Sequence, residues 1–231
     1  MGEDSTCYLA SPYASARIAL QEKPIRTVIC LRHPTDRAYS QYWHMLWTGR
    51  AVNDFDDTVR FQPHIVLWRS LYVRHLQSFL RHIARERVFF FVLEEYQSDR
   101  EGVMKSLLAF LGVPPDELPR AALLEHANRG MMPVSIRLQL VANRLLRGSA
   151  DTRYVKHLPF VDRDSVREPA LQRFLYRVHQ RLNRAHPGTP PPMNPATRMY
   201  LDSFFRREMS GLDELVGRDV TGRWFARPRR G

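Results

Sequence analysis

An α/β fold, with a parallel sheet in its first half and a mostly helical second half, is predicted by three observations along this 231-residue chain. Two short β-rich runs, Arg26 to Leu31 and Arg87 to Leu93, are each flanked by helical patterns. The second run has too many consecutive apolar residues for a half-exposed strand and reads as a central parallel one. Beyond Pro114 no convincing strand pattern appears, while apolar residues recur at helical spacing.

The elements follow in order. Ala14 to Gln21 is expected as a short helix, and the β-branched run from Thr27 to Ile29 favours a strand over Arg26 to Leu31. Pro34 forces a turn, and Thr35 to Trp47 follows as a helix stopped by Gly49. A loop around Asn53 to Asp57 leads to a long helix from about His64 to Ala84, with Leu67, Leu71, Leu76, Phe79 and Ile83 at helical spacing. Gly102 to Leu111 is the helix that closes the α/β part. In the second half, helices are expected at Ser135 to Leu146, Glu168 to Arg184 and Pro195 to Val216, the last with Leu201, Phe205, Met209 and Leu212 on one face. The prolines between Pro187 and Pro192 read as an extended linker, and Ala226 to Gly231 as a disordered basic tail.

A prior of about 100–200 residues per domain favours one domain over 1–225, with an α/β part at 1–113 and a helical part at 114–225 that covers the sheet. Hydrophobic content of 44% with 26% charged residues is that of a globular protein. No apolar run approaches the ~20 residues a membrane span needs, so no transmembrane segment and a cytoplasmic location are expected. The formal charge of +11 suggests polyanions, yet arginines are scattered through every segment and no nucleic-acid-binding signature appears. A basic cleft for a small anionic ligand accounts for the charge as well, and nucleic acid is not an expected partner. Two cysteines and nine histidines show no disulfide framework and no metal spacing, so no metal is expected. Cys30, inside the first strand, reads as a small buried hydrophobe. The opening Met1-Gly2 fits the loose myristoylation pattern, which is discounted here.

The run from Thr27 to Tyr42 carries the chemistry. Arg32 stands at the carboxyl end of a strand, where open α/β sheets place ligands, and a guanidinium there offers a planar fork of donors to phosphate oxygens. Ser40, about two turns into the next helix, adds a hydroxyl, and the helix N-terminus adds free N–H groups. The alternative is a strand and an amphipathic helix bearing solvated arginines. His33 is either a hydrogen-bond donor to the phosphate or a solvated loop residue. Arg37 either pairs with an acid such as Glu94 or Asp36, the favoured reading, or joins the phosphate site.

Leu31-Arg32-His33-Pro34 and Arg37-Ala38-Tyr39-Ser40-Gln41-Tyr42 together resemble the second nucleotide motif of the PAPS-dependent sulfotransferases, Leu-Arg-x-Pro-x-x-Arg-Ala-x-Ser-x-Tyr. Gly2-Glu3-Asp4-Ser5-Thr6-Cys7-Tyr8-Leu9 is similar to the segment preceding that motif in bacterial members and in heparan-sulfate sulfotransferase domains. Leu71-Tyr72, the run Val88 to Tyr96, Phe110-Leu111-Gly112, and Val216-Gly217-Arg218-Asp219-Val220 with Trp224 resemble later family blocks. The resemblance implies a three-layer P-loop-transferase-like α/β domain. It implies 3′-phosphoadenylyl sulfate (PAPS) as donor, its 3′-phosphate held by Arg32 and Ser40, and sulfuryl transfer to a hydroxyl or amine of a carbohydrate or glycolipid acceptor. The stretch from Asn128 to Phe160 would lie near the nucleotide.

Family members carry a Gly-rich, Lys- or Arg-containing loop that cradles the 5′-phosphosulfate, where charge develops during transfer. None of the eleven glycines here stands in such a setting. The expectation is therefore an N-terminally truncated domain, a fragment, with a non-catalytic remnant that binds nucleotide or a partner only as the alternative to an enzyme. The acceptor hydroxyl also needs a base. Glu3 is the candidate, as base or orienting group, against the reading of a strand-end residue in solvent.

Overall fold

The computed structural model describes residues 3, 5–115, 130–146 and 169–226. A 3-10 turn at Tyr8–Ala10 precedes helix α1 (Ala14–Ala19), and strand β1 (Thr27–Leu31) runs into helix α2 (Pro34–Trp47) after only two residues. Pro34, with its fixed φ and no N–H to satisfy, suits the first helical position. Gly49, at a φ of 82°, ends the run, with Arg50 N–H donating to the Met45 carbonyl at 2.8 Å. Helix α3 (Phe55–Phe61) begins inside the segment expected to be loop, because the Asp54 carboxylate caps it by accepting from Asp57 N–H at 2.8 Å.

The single long helix expected over His64 to Ala84 is two helices. Helix α4 (His64–Leu67) passes into a 3-10 turn at Trp68–Ser70, and α5 (Tyr72–Leu80) starts afresh after Leu71 leaves helical geometry. The break leaves Ser70 and Tyr72 buried. Strand β2 (Val88–Val92) leads to α6 (Leu93–Ser98) and α7 (Arg100–Leu111), the latter capped by Asp99 and ended by Gly112 at a φ of 75°.

β1 and β2 pair in parallel, Thr27 opposite Val88 and Leu31 opposite Val92. Among the described residues this sheet has two strands. The expected parallel pairing is present, but β2 is not covered on both faces. Val88, Phe90 and Val92 are buried while Phe89 and Phe91 are half-buried, so its unbroken apolar run conceals an alternating pattern. β1 alternates likewise: Ile29 and Leu31 are buried, and Val28 and Cys30 are exposed. Cys30 is therefore not the buried hydrophobe expected from its place in a strand.

Strands also occur beyond Pro114. Strand β3 (Met131–Pro133) precedes α8 (Ile136–Leu145), which Ser135 caps, and α9 (Ala170–Leu182) precedes strand β4 (Ala185–Pro187). β3 and β4 pair antiparallel over three residues, with Met132 opposite His186. Each ends in proline, which is why sequence periodicity hid them and why they stay short. The expected helix from Pro195 to Val216 divides at Gly211, φ 86°, into α10 (Pro195–Glu208) and α11 (Leu212–Val216), and α12 (Thr221–Phe225) follows. The basic tail beyond Ala226 lies outside the described residues, as do residues 128–129 and 147–160 of the stretch from Asn128 to Phe160.

The chain divides into two compact units that interleave along the sequence: residues 1–37, 69–125 and 198–231 form one, and 38–68 with 126–197 the other. In the first, Leu31, Phe90, Tyr72, Leu76, Leu201 and Phe205 are each 1% exposed or less and form the core with both parallel strands. In the second, Tyr42, Trp43 and Phe55 meet edge to face, with Tyr42 and Phe55 ring centroids 5.3 Å apart. Asn143 donates to the carbonyls of Leu46 and Ala51 at 2.9 and 2.7 Å, which ties α8 to the end of α2.

Candidate functional site

The carboxyl end of β1 is held by its backbone, which leaves the Arg32 side chain for other work. The buried Tyr72 hydroxyl donates to the Arg32 carbonyl at 2.9 Å and accepts from Arg32 N–H at 3.4 Å. Burial pushes the Tyr72 phenol up to about 12, so it remains a proton donor. One residue on, His33 N–H donates to Glu94 Oε1 at 2.8 Å, and the other oxygen of Glu94 accepts from Trp224 Nε1–H at 2.9 Å. Arg218 then grips Glu95 through two bonds of 3.1 and 2.8 Å and donates to the Phe90 carbonyl. The acids that follow β2 and the closing Arg218 and Trp224, remote in sequence, together fix the corner at which Arg32 stands.

At this corner cations gather with no counter-charge among the described residues. Burial, first, and then the guanidiniums of Arg69 and Arg32 lower the pKa of Arg37, against an opposing influence of Tyr72 and Cys7. Arg37 Nη1 donates a long 3.5 Å bond to the buried Ser70 hydroxyl, and Arg69 Nη2 donates to Cys7 Sγ at 3.3 Å. Among the described residues no carboxylate pairs with Arg32, Arg37 or Arg69. The pairing of Arg37 with Glu94 or Asp36 favoured by sequence does not occur. Glu94 is engaged by His33 and Trp224, and Asp36 is bound by Arg198. Three guanidiniums, one of them desolvated, form an electrostatic demand for an anion. Arg69 has no motif to mark it in the sequence, and only the break between α4 and α5 brings it to Arg37.

The other candidates fall as follows. His33 is neither solvated nor available to an anion through Nε2. It is 8% exposed, and its Nε2 donates to the Trp224 carbonyl at 3.0 Å, while Nδ1 is buried without a hydrogen-bond partner among the described residues. Thr35, fully buried, donates to Asp202 Oδ1 at 2.6 Å and fastens the start of α2 to α10. Ser40 is exposed on α2. Glu3 is exposed and accepts from the Tyr8 hydroxyl, whose pKa this bond raises. Asp4 lies outside the described residues. Among the described residues no helix is long and apolar enough to cross a membrane.

The chain belongs to the sulfotransferase domain family, whose model matches residues 6–132. Two curated relatives, the heparan sulfate glucosamine 3-O-sulfotransferases 3B1 and 3A1 of Mus musculus, are each 28% identical over 119 residues, covering 48% of this chain and 30% of theirs. The chain thus aligns with less than a third of their length. A sulfotransferase structure from Alicyclobacillus acidocaldarius superposes with a TM-score of 0.58 at 21% identity, over 95% of this chain and 65% of that one. That likeness fixes the fold as the P-loop-transferase-like α/β type to which β1 and β2 belong.

Proposed function

We propose that residues 1–225 act as one sulfotransferase domain that binds PAPS and its product 3′,5′-ADP. In this reading Arg32 and Ser40 hold the 3′-phosphate, with Arg37 and Arg69 as further cations. The gathering of three guanidiniums at the end of β1, with no carboxylate partner among the described residues, is the observation that carries this reading. A phosphate dianion fits that need, since charge-assisted forks to its oxygens offset both the desolvation of Arg37 and the mutual repulsion.

The donor supplies an activated sulfuryl group. The acceptor oxygen or nitrogen forms the new bond to sulfur as the bond from sulfur to the 5′-phosphate oxygen breaks, and the acceptor proton passes to a base, for which Glu3 is our candidate. The names of the two mouse relatives support a glycan hydroxyl as acceptor, and we extend the class to glycolipids and amines. The three-layer sheet and a Gly-rich cradle supplied by a preceding segment are part of the same proposal. The intact mass of the native protein reads that part directly.

The test is calorimetric titration of 3′,5′-ADP into the chain and into Arg32→Ala. A loss of about 1.5–3 kcal/mol supports the assignment and unchanged affinity sinks it. Transfer of labelled sulfate from PAPS to a glycan panel then decides between the enzyme and the second reading, a chain that binds nucleotide or a partner and transfers nothing. That reading rests on the lack of a Gly-x-x-x-x-Gly-Lys run in the sequence.

A further inference from the structure

Helix α9 is mounted in reverse. An ordinary surface helix buries its apolar stripe and shows its polar face to water. The single buried residue of α9 is polar. His179 is 8% exposed and donates through Nε2 to Gln139 Oε1 of α8 at 3.1 Å. Just past its end, Asn183 is 3% exposed and bonds the Ser135 N–H and carbonyl at 2.7 and 3.0 Å. Burial lowers the His179 pKa, which keeps the ring a neutral donor in this network.

The apolar side chains point to solvent instead. Leu171 is 68% exposed, Phe174 59% and Leu182 72%, with Leu175 and Val178 also exposed. At 3.6 residues per turn these five fall within an arc of about 100°, with Arg177 and Arg181 along one flank and the His179 side along the other. α8, joined to α9 through Gln139, exposes a second row, Leu138, Val141 and Leu145. Neither helix contains an acidic residue, while α9 carries Arg173, Arg177 and Arg181 and α8 carries Arg137 and Arg144.

We propose that this face is a membrane-surface site, on which α9 lies with its apolar stripe in the acyl boundary of an anionic bilayer and its arginines against lipid phosphates. The charge pattern selects this occupant over a second copy of the chain. Two such faces meeting across a twofold axis would set arginine rows against each other with no carboxylate in either helix to relieve them. An anionic leaflet relieves them directly, and a basic amphipathic helix with an exposed apolar stripe is the form that binds there. The inference is independent of the donor chemistry, so it stands or falls without the nucleotide reading.

The experiment is co-sedimentation of the full chain with phosphatidylcholine vesicles, with and without phosphatidylglycerol, at low and high salt. Binding to the anionic vesicles alone, weakened by salt, is expected. The double variants Phe174→Asp with Leu182→Asp, and Arg177→Glu with Arg181→Glu, should each reduce partitioning by about tenfold or more at an unchanged melting temperature. Should the first pair melt early, Phe174→Ser alone gives the same comparison under a milder change. No partitioning onto anionic vesicles, or partitioning that these variants retain, overturns the proposal. So does a solution dimer that Phe174→Asp dissociates, which would give the face to a second copy.

Discussion

Replacing Arg37 by methionine separates two meanings of a buried arginine, because it moves stability and binding in opposite directions. A structural arginine paired with a buried acid leaves an uncompensated charge when removed, at a cost of about 3–5 kcal/mol. Here the guanidinium has one long bond, 3.5 Å to Ser70 Oγ, worth at most about 0.5 kcal/mol net. Against that bond stand its desolvation and the neighbouring charges of Arg69 and Arg32. Methionine keeps most of the apolar stem and removes the charge. The stability of the ligand-free protein should therefore be unchanged or higher by about 1 kcal/mol, a rise in Tm of roughly 2–4 °C. Affinity for 3′,5′-ADP should fall by about 1.5–3 kcal/mol, roughly 10- to 150-fold, through loss of a charge-assisted bond to phosphate. Denaturant unfolding of the ligand-free chain, run beside calorimetric titration of the nucleotide, reads both quantities. A ligand-free loss above about 2 kcal/mol, or an unchanged nucleotide affinity, would refute the argument.

Three further outcomes follow from the bonds around the same corner and the closing segment. Glu94→Gln places an amide donor opposite either His33 N–H or Trp224 Nε1–H, and should cost about 2 kcal/mol in denaturant unfolding with altered Trp224 fluorescence; an unchanged midpoint would show that the two bonds contribute nothing net. Arg85 donates to the carbonyls of Leu215, Val216 and Val88 and stacks 4.6 Å over Phe90, so Arg85→Ala should destabilise by about 2–3 kcal/mol, read as a drop in Tm. Burial works to raise the Asp213 pKa, but the Thr221 hydroxyl and the N–H groups of Thr221 and Val220 outweigh it and hold the carboxyl below its usual range. Its contribution is therefore complete above the ordinary Asp pKa of about 3.9 and lost as pH falls through the lower folded value. Asp213→Asn should cost about 1–2 kcal/mol at neutral pH, with the difference from the parent closing in acid; a gap that stays constant with pH would show that charge is not the cause.

The local grammar of the chain is written in its short-range spacing. The Thr27 to Ile29 strand, the turn at Pro34, the α2 helix with its stop at Gly49, and Arg32 at a strand's carboxyl end all follow from backbone chemistry and short-range spacing. The family was legible for the same reason, since its motif is contiguous. Tertiary structure decided whatever depends on which groups meet. The run from Val88 to Val92 reads as doubly covered, yet one face is only half-buried, because burial is a property of neighbours and not of hydropathy. β3 and β4 pair across more than fifty residues, with prolines that mask them. The sequence offers Glu94 and Asp36 as acids for Arg37, but in the fold they are claimed by Trp224, His33 and Arg198, and a guanidinium from the 3-10 turn at Trp68–Ser70 comes in their place. Electrostatic pairing is settled by competition among all charges within reach, and only the folded chain sets that reach.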